Sequence, residues 1–179
     1  MENIEKAIRD DLHQYLHRIG RVDARMPECP DLDELWDSVL EAYLPDGVRE
    51  YNQYPVTSLG WMMFIGMALA YRWDEDWEAY GWQGGKALYV QMRDARGYDM
   101  LDDHVLRDIL GLDEKEAEET ASIVGECAAR VFHTLQTCGV EPGTREAVLA
   151  YVGALHQLYL LGVALELNDL GYHMTRLGK

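Results

Sequence analysis

Apolar residues recur at helical spacing along almost the whole chain. The first segment already places Ile4, Ile8 and Leu12 on one side of a helix, because residues three, four and seven apart share a helix face. No segment alternates apolar and polar residues over the length of a strand, which is the pattern of a half-buried β-strand. The spacing therefore predicts an all-α protein.

Start and stop signals divide this pattern into six or seven helices. The predicted helical segments are residues 3–19, 31–44, 55–80, 86–96, 99–110, 113–138 and 144–172. The expected N-terminal caps are the capping-box pairs Asp31 with Glu34 and Asp113 with Glu116, and the single residues Asp99 and Thr144. The sequence Pro-Asp-Gly at residues 45–47 is typical of a turn and is expected to end the second helix.

Short connections join these segments, and no Gly/Ser-rich or Pro-rich linker separates them. Helices with short connections pack as neighbours in a bundle. With 179 residues, 48% of them apolar, the chain can build a core that buries about 70% of its unfolded surface. Residues 1–179 are therefore predicted to form a single-domain helical bundle.

Two of the predicted helices are apolar on most sides. Residues 59–70 contain no charged residue, and residues 147–165 are interrupted only by His156 and Gln157. A transmembrane helix needs about 20 predominantly apolar residues, and a cluster of Lys or Arg marks its cytoplasmic end. The first run is too short, and the second is of borderline length and lacks such a cluster. Both are expected to be largely buried central helices of the bundle rather than membrane spans.

The chain is strongly acidic, with 32 Asp and Glu against 16 Lys and Arg and a formal net charge of −16. Nucleic acids and anionic membranes attract Lys and Arg, so neither is expected as a partner. Negative charge is densest in residues 99–119, the acidic segment, where nine acids stand against Arg107 and Lys115. The acidic segment is a candidate docking surface for a basic protein. The alternative explanation of this charge is that some of the acids stabilise first helical turns and the others keep the protein soluble.

The N-terminus and the cysteines favour a cytoplasmic protein. Residues 1–6 run directly into the helical pattern, without the basic and apolar regions of a secretory signal. Cys127 and Cys138 would lie about 16 Å apart on one helix, which is too far for a disulfide. Together with Cys29 they are odd in number, and reduced thiols are expected.

His156 is the strongest single candidate for a ligand-binding residue. It lies in the middle of the last apolar run, flanked in projection by Leu149, Val152, Leu160 and Val163. Its ring is therefore expected to be buried and to need a polar partner. A buried histidine can act as a general base or hold a ligand, and Tyr159 is the second candidate on this helix. A core histidine bonded to a tyrosine or a carbonyl is the alternative.

A second candidate site combines aromatic and charged residues between positions 71 and 80. Its candidate ligand-binding residues are Arg72, Trp73, Asp76 and Trp77, since aromatic faces beside carboxylates suit cationic ligands. Trp73 and Trp77 also continue the apolar side of their helix, so packing in the core is the alternative interpretation. Arg72 adjoins the apolar run and would need a carboxylate partner if buried.

Two sets of metal-ligand residue types lie near the ends of the chain. They are Asp10, His13 and His17 in the first helix, and Glu166, Asp169 and His173 at the end of the last one. Each set is spaced i, i+3 and i+7, which puts its members on one helix face. The first set lies opposite the apolar side, and the chain has no Glu-x-x-His motif. A solvated face is therefore favoured, and no metal or cofactor is assigned.

Common catalytic motifs are missing from the sequence. It has no Gly-rich nucleotide-binding loop, no Gly-x-Ser-x-Gly and no His-Glu-x-x-His. The main hypothesis is therefore a non-enzymatic binding or interaction module for a protein partner or a small ligand. The alternative is a small-molecule or metal-dependent enzyme with its site between the two apolar helices near His156. A homodimer is a further alternative, because a flat apolar face on an outer helix would form a dimer surface.

Overall fold

The helical spacing of the sequence becomes an all-α fold in the computed structural model, which describes residues 2–173. The helices are α1 (Glu2–Arg18), α2 (Pro30–Asp33), α3 (Trp36–Tyr51), α4 (Pro55–Tyr80), α5 (Gly84–Arg96), α6 (Leu101–Asp103), α7 (Glu114–Thr137) and α8 (Arg145–Asp169). Short 3-10 turns lie at Gly81–Gln83 and Tyr98–Met100, and a π-helical turn at His104–Ile109 follows α6. The described residues contain no β-strand, so the prediction of an all-α helical bundle is confirmed.

The two apolar runs lie in α4 and α8, which form the centre of the bundle. Gly66 of α4 lies against the backbone of Tyr159, and Gly162 of α8 lies against the backbone of Met63. A Cβ atom at either glycine would overlap these backbone atoms. The two helices therefore touch directly at these two levels, with no side chain and no free space between them.

The outer helices cover this central pair. α1 packs on α8 and α7, α3 packs on α4 and α5, and α7 packs on α4. Among the described helices, α8 alone is long and apolar enough to cross a membrane, and 72% of its most apolar stretch is buried inside the bundle. Such burial is typical of the core helix of a helical bundle.

The sequence Pro-Asp-Gly at residues 45–47 does not end a helix, and that prediction is wrong. α3 continues through it for another turn. Asp46 is buried and accepts a hydrogen bond from the hydroxyl of Tyr89, and Gly47 lies against the ring of Tyr43. Contacts with the rest of the fold therefore override the local turn signal.

Helix caps were predicted correctly at the two long C-terminal helices. Asp113 and Glu116 form the capping box of α7, and the side chain of Thr144 caps α8. Asp31 lies inside α2 rather than before it, and Asp99 lies within a 3-10 turn and caps no helix. Both wrong caps fall in segments of a single turn, where the apolar spacing is too short to locate a helix start.

Candidate functional site

A line of partly exposed residues runs along the outer side of α8. We name it the α8 stripe, and it consists of Leu149, Val152, His156 and Leu160. These residues are three or four positions apart, so they fall within an arc of about 80° at about 100° per residue. All residues of α8 that lie between them in the sequence are buried. The most buried helix of the molecule therefore has one open side, and that side is largely apolar.

His156 lies in the middle of the α8 stripe, and the expectation that its ring is buried in the core is wrong. Its side chain is 34% exposed, and its Nδ1 atom lies 3.8 Å from Oε1 of Glu5. Its imidazole stacks on the indole of Trp36, with 4.7 Å between ring centroids and 17° between ring planes. The ring is half-buried, because α1 and α3 pack on either side of it and leave this side of α8 open.

Glu5 of α1 is held against α8 at the edge of the stripe. Its Cγ atom would lie 2.7 Å from a Cβ atom at Gly153, so the missing side chain makes room for it. Nε2 of Gln157 donates a hydrogen bond to Oε1 of Glu5 over 3.3 Å. Oε1 of Gln157 is buried and has no hydrogen-bond partner among the described residues. Gly153 and Gln157 therefore position one carboxylate beside His156.

Acidic groups dominate the surroundings of His156. Its charged neighbours are Glu5 and Arg9 on α1, Asp33 on α2 and Asp37 on α3. Burial lowers the pKa of His156 below its ordinary value, although the three carboxylates act in the opposite direction. Burial also raises the pKa of Asp33. The ring is therefore mostly uncharged at neutral pH, and the rim around it carries an excess of negative charge.

Exposed apolar surface continues from the α8 stripe toward the start of α8. The rings of Tyr51 and Tyr151 are 4.6 Å apart and bring the end of α3 against α8. Ser58, near the start of α4, hydrogen-bonds the hydroxyl of Tyr151 over 2.6 Å. Five of the eight exposed large hydrophobic residues in the described chain belong to these adjoining ends, namely Val48, Tyr54, Val56, Val148 and Leu149. Apolar exposure is therefore concentrated on one part of the surface.

Tyr159 is fully buried beneath the α8 stripe. Its hydroxyl donates to the carbonyl of Leu32 over 2.7 Å, and its ring centroid lies 5.2 Å from that of Trp36. Trp73 is also buried, and its Nε1 donates to Asp31 over 2.9 Å. Tyr159 and Trp73 therefore meet the same short helix, α2, and hold it against the central pair.

The other residues of the aromatic candidate site contact separate partners. Nη1 of Arg72 donates to Glu75 over 2.9 Å, and its guanidinium lies 4.8 Å from the ring centroid of Tyr80. Asp76 departs from helical geometry, with φ −165° and ψ 87°, and accepts a hydrogen bond from a backbone N–H three residues later. Trp77 packs against the turn that follows α4. These contacts stabilise the kinked end of α4 rather than a shared pocket.

Most acids of the acidic segment already have partners within the chain. Asp103 and Glu114 pair with Arg107, and Asp108 accepts two hydrogen bonds from Arg96. The other pairings are the Asp113–Glu116 capping box and the ion pair of Glu119 with Arg21. Six of the nine acids are thus engaged, and the acidic segment presents less free negative charge than its composition indicates.

The two terminal sets of metal-ligand types approach each other at the loop after α1. Nε2 of His13 donates to the carbonyl of Asp23 over 2.8 Å, and Nδ1 of His17 donates to the carbonyl of Val22 over 3.0 Å. The ring of His173 contacts the carboxylate of Asp23 at 3.0 Å. Outside these contacts, Asp10 pairs with Lys6 and Asp169 pairs with Arg21. No group of three or more possible ligands that could hold a metal ion occurs in the described part of the chain.

Glu166 is the most deeply buried acidic or basic residue among those described, at 6% exposure. Burial raises its pKa to about 8, and the nearby Asp169 adds to this shift while Arg21 opposes it. Its carboxyl group is therefore mostly protonated and uncharged at neutral pH. This end of α8 holds a neutral acid rather than an anion.

A buried polar cluster joins α3, α4, α5 and α8, and no motif of the sequence pointed to it. Asp46 accepts hydrogen bonds from Tyr89 at 2.7 Å, Arg49 at 3.2 Å and Arg93 at 3.3 Å. Next to it, the hydroxyl groups of Tyr43, Ser58, Tyr98 and Tyr151 hydrogen-bond one another in pairs. The sequence feature that could have indicated this cluster is the abundance of tyrosine, with 11 in the chain. A buried phenol hydroxyl needs a hydrogen-bond partner, so many tyrosines in an apolar chain favour buried polar contacts.

Two shallow clefts lie on the described surface away from the α8 stripe. One of about 390 Å³ lies between α1 and α7, where Arg130 is held by Asp11 and Glu126. The other, of about 330 Å³, lies between α3 and α5 beside Pro45 and Arg93. Neither cleft is lined by His156 or Tyr159.

No protein-family model, curated protein or solved structure matches this chain. Its function therefore has to be inferred from its own residues, and the α8 stripe is where apolar exposure and a charged rim coincide.

Proposed function

We propose that the protein is a non-enzymatic interaction module that binds a basic, amphipathic helical segment of a partner protein along the α8 stripe. The observation that carries this proposal is the exposure of apolar side chains on an otherwise buried helix. Leu149 is 43% exposed, and Val152 and Leu160 are partly exposed. Contiguous exposed apolar surface rimmed by polar residues is typical of sites where proteins bind one another.

The shape of this surface suits a helix. α1 places Glu5 at one edge of the stripe, and α3 places Trp36 at the other. From Leu149 to Leu160 the stripe extends about 16 Å, which is about three helical turns. An amphipathic helix with apolar residues at i, i+3 and i+7 would lie between these two edges, as in other complexes of a helix with a groove.

The charge of the rim favours a basic partner. Three carboxylates and one guanidinium surround the middle of the stripe, from Glu5, Asp33, Asp37 and Arg9. Lys and Arg on both flanks of the bound helix would complement these carboxylates and speed association. A second copy of this chain, with its own net charge of −16, would instead bring two acidic rims together. Charge therefore favours a basic partner over a homodimer.

The enzyme alternative has less support. A catalytic site between the two central helices would need space there, and the backbone contacts of Gly66 and Gly162 bring these helices together. The clefts between α1 and α7 and between α3 and α5 do not reach His156. A small ligand at His156 would therefore rest on an open surface, where little of it would be shielded from water.

A pair of synthetic peptides tests the proposal. The probe is an amphipathic helix of about four turns, with leucines along one face and Lys and Arg along both flanks. The control peptide keeps the leucines and has Glu in place of every Lys and Arg. Fluorescence anisotropy should show binding of the basic peptide, weakened by added salt, and no binding of the acidic one. Equal binding of both peptides, or binding of neither, would contradict the proposal.

Two substitutions of matched exposure locate the binding surface. Leu149 is 43% exposed on the stripe, and Ile19 is 41% exposed just after α1. Leu149→Lys should weaken binding of the basic peptide by about tenfold or more, through lost apolar contact and added positive charge. Ile19→Lys makes the same change in net charge and should leave the affinity unchanged. Equal effects of the two substitutions would mean that the peptide binds elsewhere.

Light scattering of the protein without peptide tests the alternative that a second copy of the chain binds the α8 stripe. We expect a monomer at all protein concentrations used for the peptide measurements. A dimer that dissociates when Leu149→Lys is introduced would assign the α8 stripe to a second copy of the chain and overturn the proposal.

A further inference from the structure

His156 lies where its charge would act on both the apolar stripe and the acidic rim. It is stacked on Trp36, and its Nδ1 atom is 3.8 Å from Oε1 of Glu5. At that distance the uncharged ring makes no hydrogen bond with the carboxylate, whereas a protonated ring would form an ion pair with it. The other charged groups that face the ring are Arg9 on α1, Asp33 on α2 and Asp37 on α3.

We infer that protonation of His156 releases the basic partner from the α8 stripe. This inference rests on the proposed function and adds regulation to it. While the ring is uncharged, the Glu5 carboxylate is available to Lys and Arg of the bound helix. Once the ring is protonated, Glu5 pairs with His156, and the new positive charge in the middle of the stripe repels a basic helix. Binding therefore weakens as the pH falls.

The pH range of this release follows from the surroundings of the ring. Burial lowers the pKa of His156, and Arg9 contributes in the same direction against the three carboxylates. The ring therefore takes up its proton below the ordinary histidine value of about 6.5. Lys and Arg of a bound helix would lower the pKa further, because the partner and the proton compete for the same carboxylates. One such proton can change the affinity by at most about tenfold per pH unit.

The pH dependence of peptide binding tests the inference. The dissociation constant of the basic peptide is measured between about pH 7.5 and about pH 5.5, where histidine changes its charge. The unsubstituted protein should lose a few-fold in affinity over this range, with about tenfold as the upper bound for one proton taken up below about pH 6.5. His156→Gln cannot be protonated and should bind with a nearly constant affinity, whereas His156→Lys should bind weakly throughout.

His133→Gln is the matched control, because His133 is an exposed histidine on α7, outside the stripe. This variant should keep the pH dependence of the unsubstituted protein. Burial raises the pKa of Asp33 and the charge of His156 lowers it, so the His156→Gln profile measures what Asp33 contributes to the pH dependence when no charged ring is beside it. A profile of His156→Gln identical to that of the unsubstituted protein would overturn the inference.

Protonation of His156 is followed separately, in the protein without peptide, by NMR of its ring and by tryptophan fluorescence. A protonated imidazole quenches the indole on which it stacks, so acid quenching should be lost in His156→Gln. Constant peptide affinity over a range in which the ring is seen to titrate would overturn this inference and leave the proposed function intact. Absence of peptide binding at neutral pH would overturn the proposed function, and the inference with it.

Discussion

Gly162 of α8 lies with its backbone directly against the carbonyl of Met63 in α4. Backbone atoms cannot rotate away as a flexible side chain can, so a Cβ atom at Gly162 would have to push the two helices apart. The contact of Gly66 with the carbonyl of Tyr159 imposes the same condition from the other helix. The spacing of the central pair therefore depends on glycine at both positions.

Gly162→Ala is expected to lower the free energy of unfolding by about 2 kcal/mol or more, because overpacking forces the backbone to shift. Gly125→Ala is the matched control, since Gly125 lies in α7 with no neighbouring atom within 4 Å of an added Cβ. That variant should be more stable by up to about 1 kcal/mol, the difference in helix propensity. Urea denaturation measures both, and an unchanged stability of Gly162→Ala would contradict the close approach.

Asp46→Asn should destabilise the fold through the buried polar cluster. The substitution keeps the size of the side chain but removes the charge that accepts hydrogen bonds from Tyr89, Arg49 and Arg93. We expect a loss of about 2 kcal/mol in the free energy of unfolding. Asp94→Asn removes an exposed partner of Arg93 and should change stability by less than about 0.5 kcal/mol. Similar losses in the two variants would mean that burial of Asp46 is unimportant.

Glu166 makes stability depend on pH. Its pKa is raised by burial from 4.5 to about 8 in the folded chain. Between these values the unfolded chain has released a proton that the folded chain still holds, so the free energy of unfolding falls as pH rises through this range. Glu166→Gln removes the titration. It should have little effect at about pH 4 and should stabilise by on the order of a few kcal/mol at about pH 8.

Urea denaturation of Glu166→Gln and the unsubstituted protein at these two pH values tests the sign of this effect. Glu126→Gln makes the same change at an exposed carboxylate of α7 that pairs with Arg130, and it should change stability by less than about 0.5 kcal/mol at either pH. A stability difference for Glu166→Gln that is the same at both pH values would contradict a buried, protonated carboxyl group.

Asp113→Ala should cost about 1 kcal/mol, because it removes the cap of α7. Its side chain accepts a hydrogen bond from the backbone N–H of Glu116, and the Glu116 side chain accepts one from the backbone of Asp113. Asp99→Ala removes another acid of the acidic segment that caps no helix. Thermal unfolding should show a lower midpoint for the first variant and a nearly unchanged midpoint for the second.

Parts of the fold that depend on local chemistry could be predicted from the sequence. The capping box at Asp113 and the cap at Thr144 act within a few residues, and α7 and α8 begin where these residues indicate. The helix through Pro45 could not be predicted, because the partners that hold Asp46 and Gly47 lie on other helices. A local turn signal contains no information about such contacts.

The candidate site was predictable only in part, for a similar reason. His156 could be singled out as a polar residue in an apolar run, but its exposure could not be predicted. A helix that is apolar on most sides does not reveal which side its neighbours leave open, and here that depends on how α1 and α3 pack. The contact of Glu5 with Gly153 and Gln157 joins residues about 150 positions apart, and no spacing rule within one helix reaches so far.

The direct contact of α4 with α8 also determines which parts of the molecule can open separately. Amide hydrogens near Gly66 and Gly162 should exchange with solvent only when the whole chain unfolds, whereas helices attached through side chains can detach in smaller openings. A helix bound along α8 would therefore contact a rigid surface. The edges of that surface, formed by α1 and α3, can adjust to the width of the bound helix. One face of the ligand would be recognised by a fixed surface, and its flanks by an adaptable one.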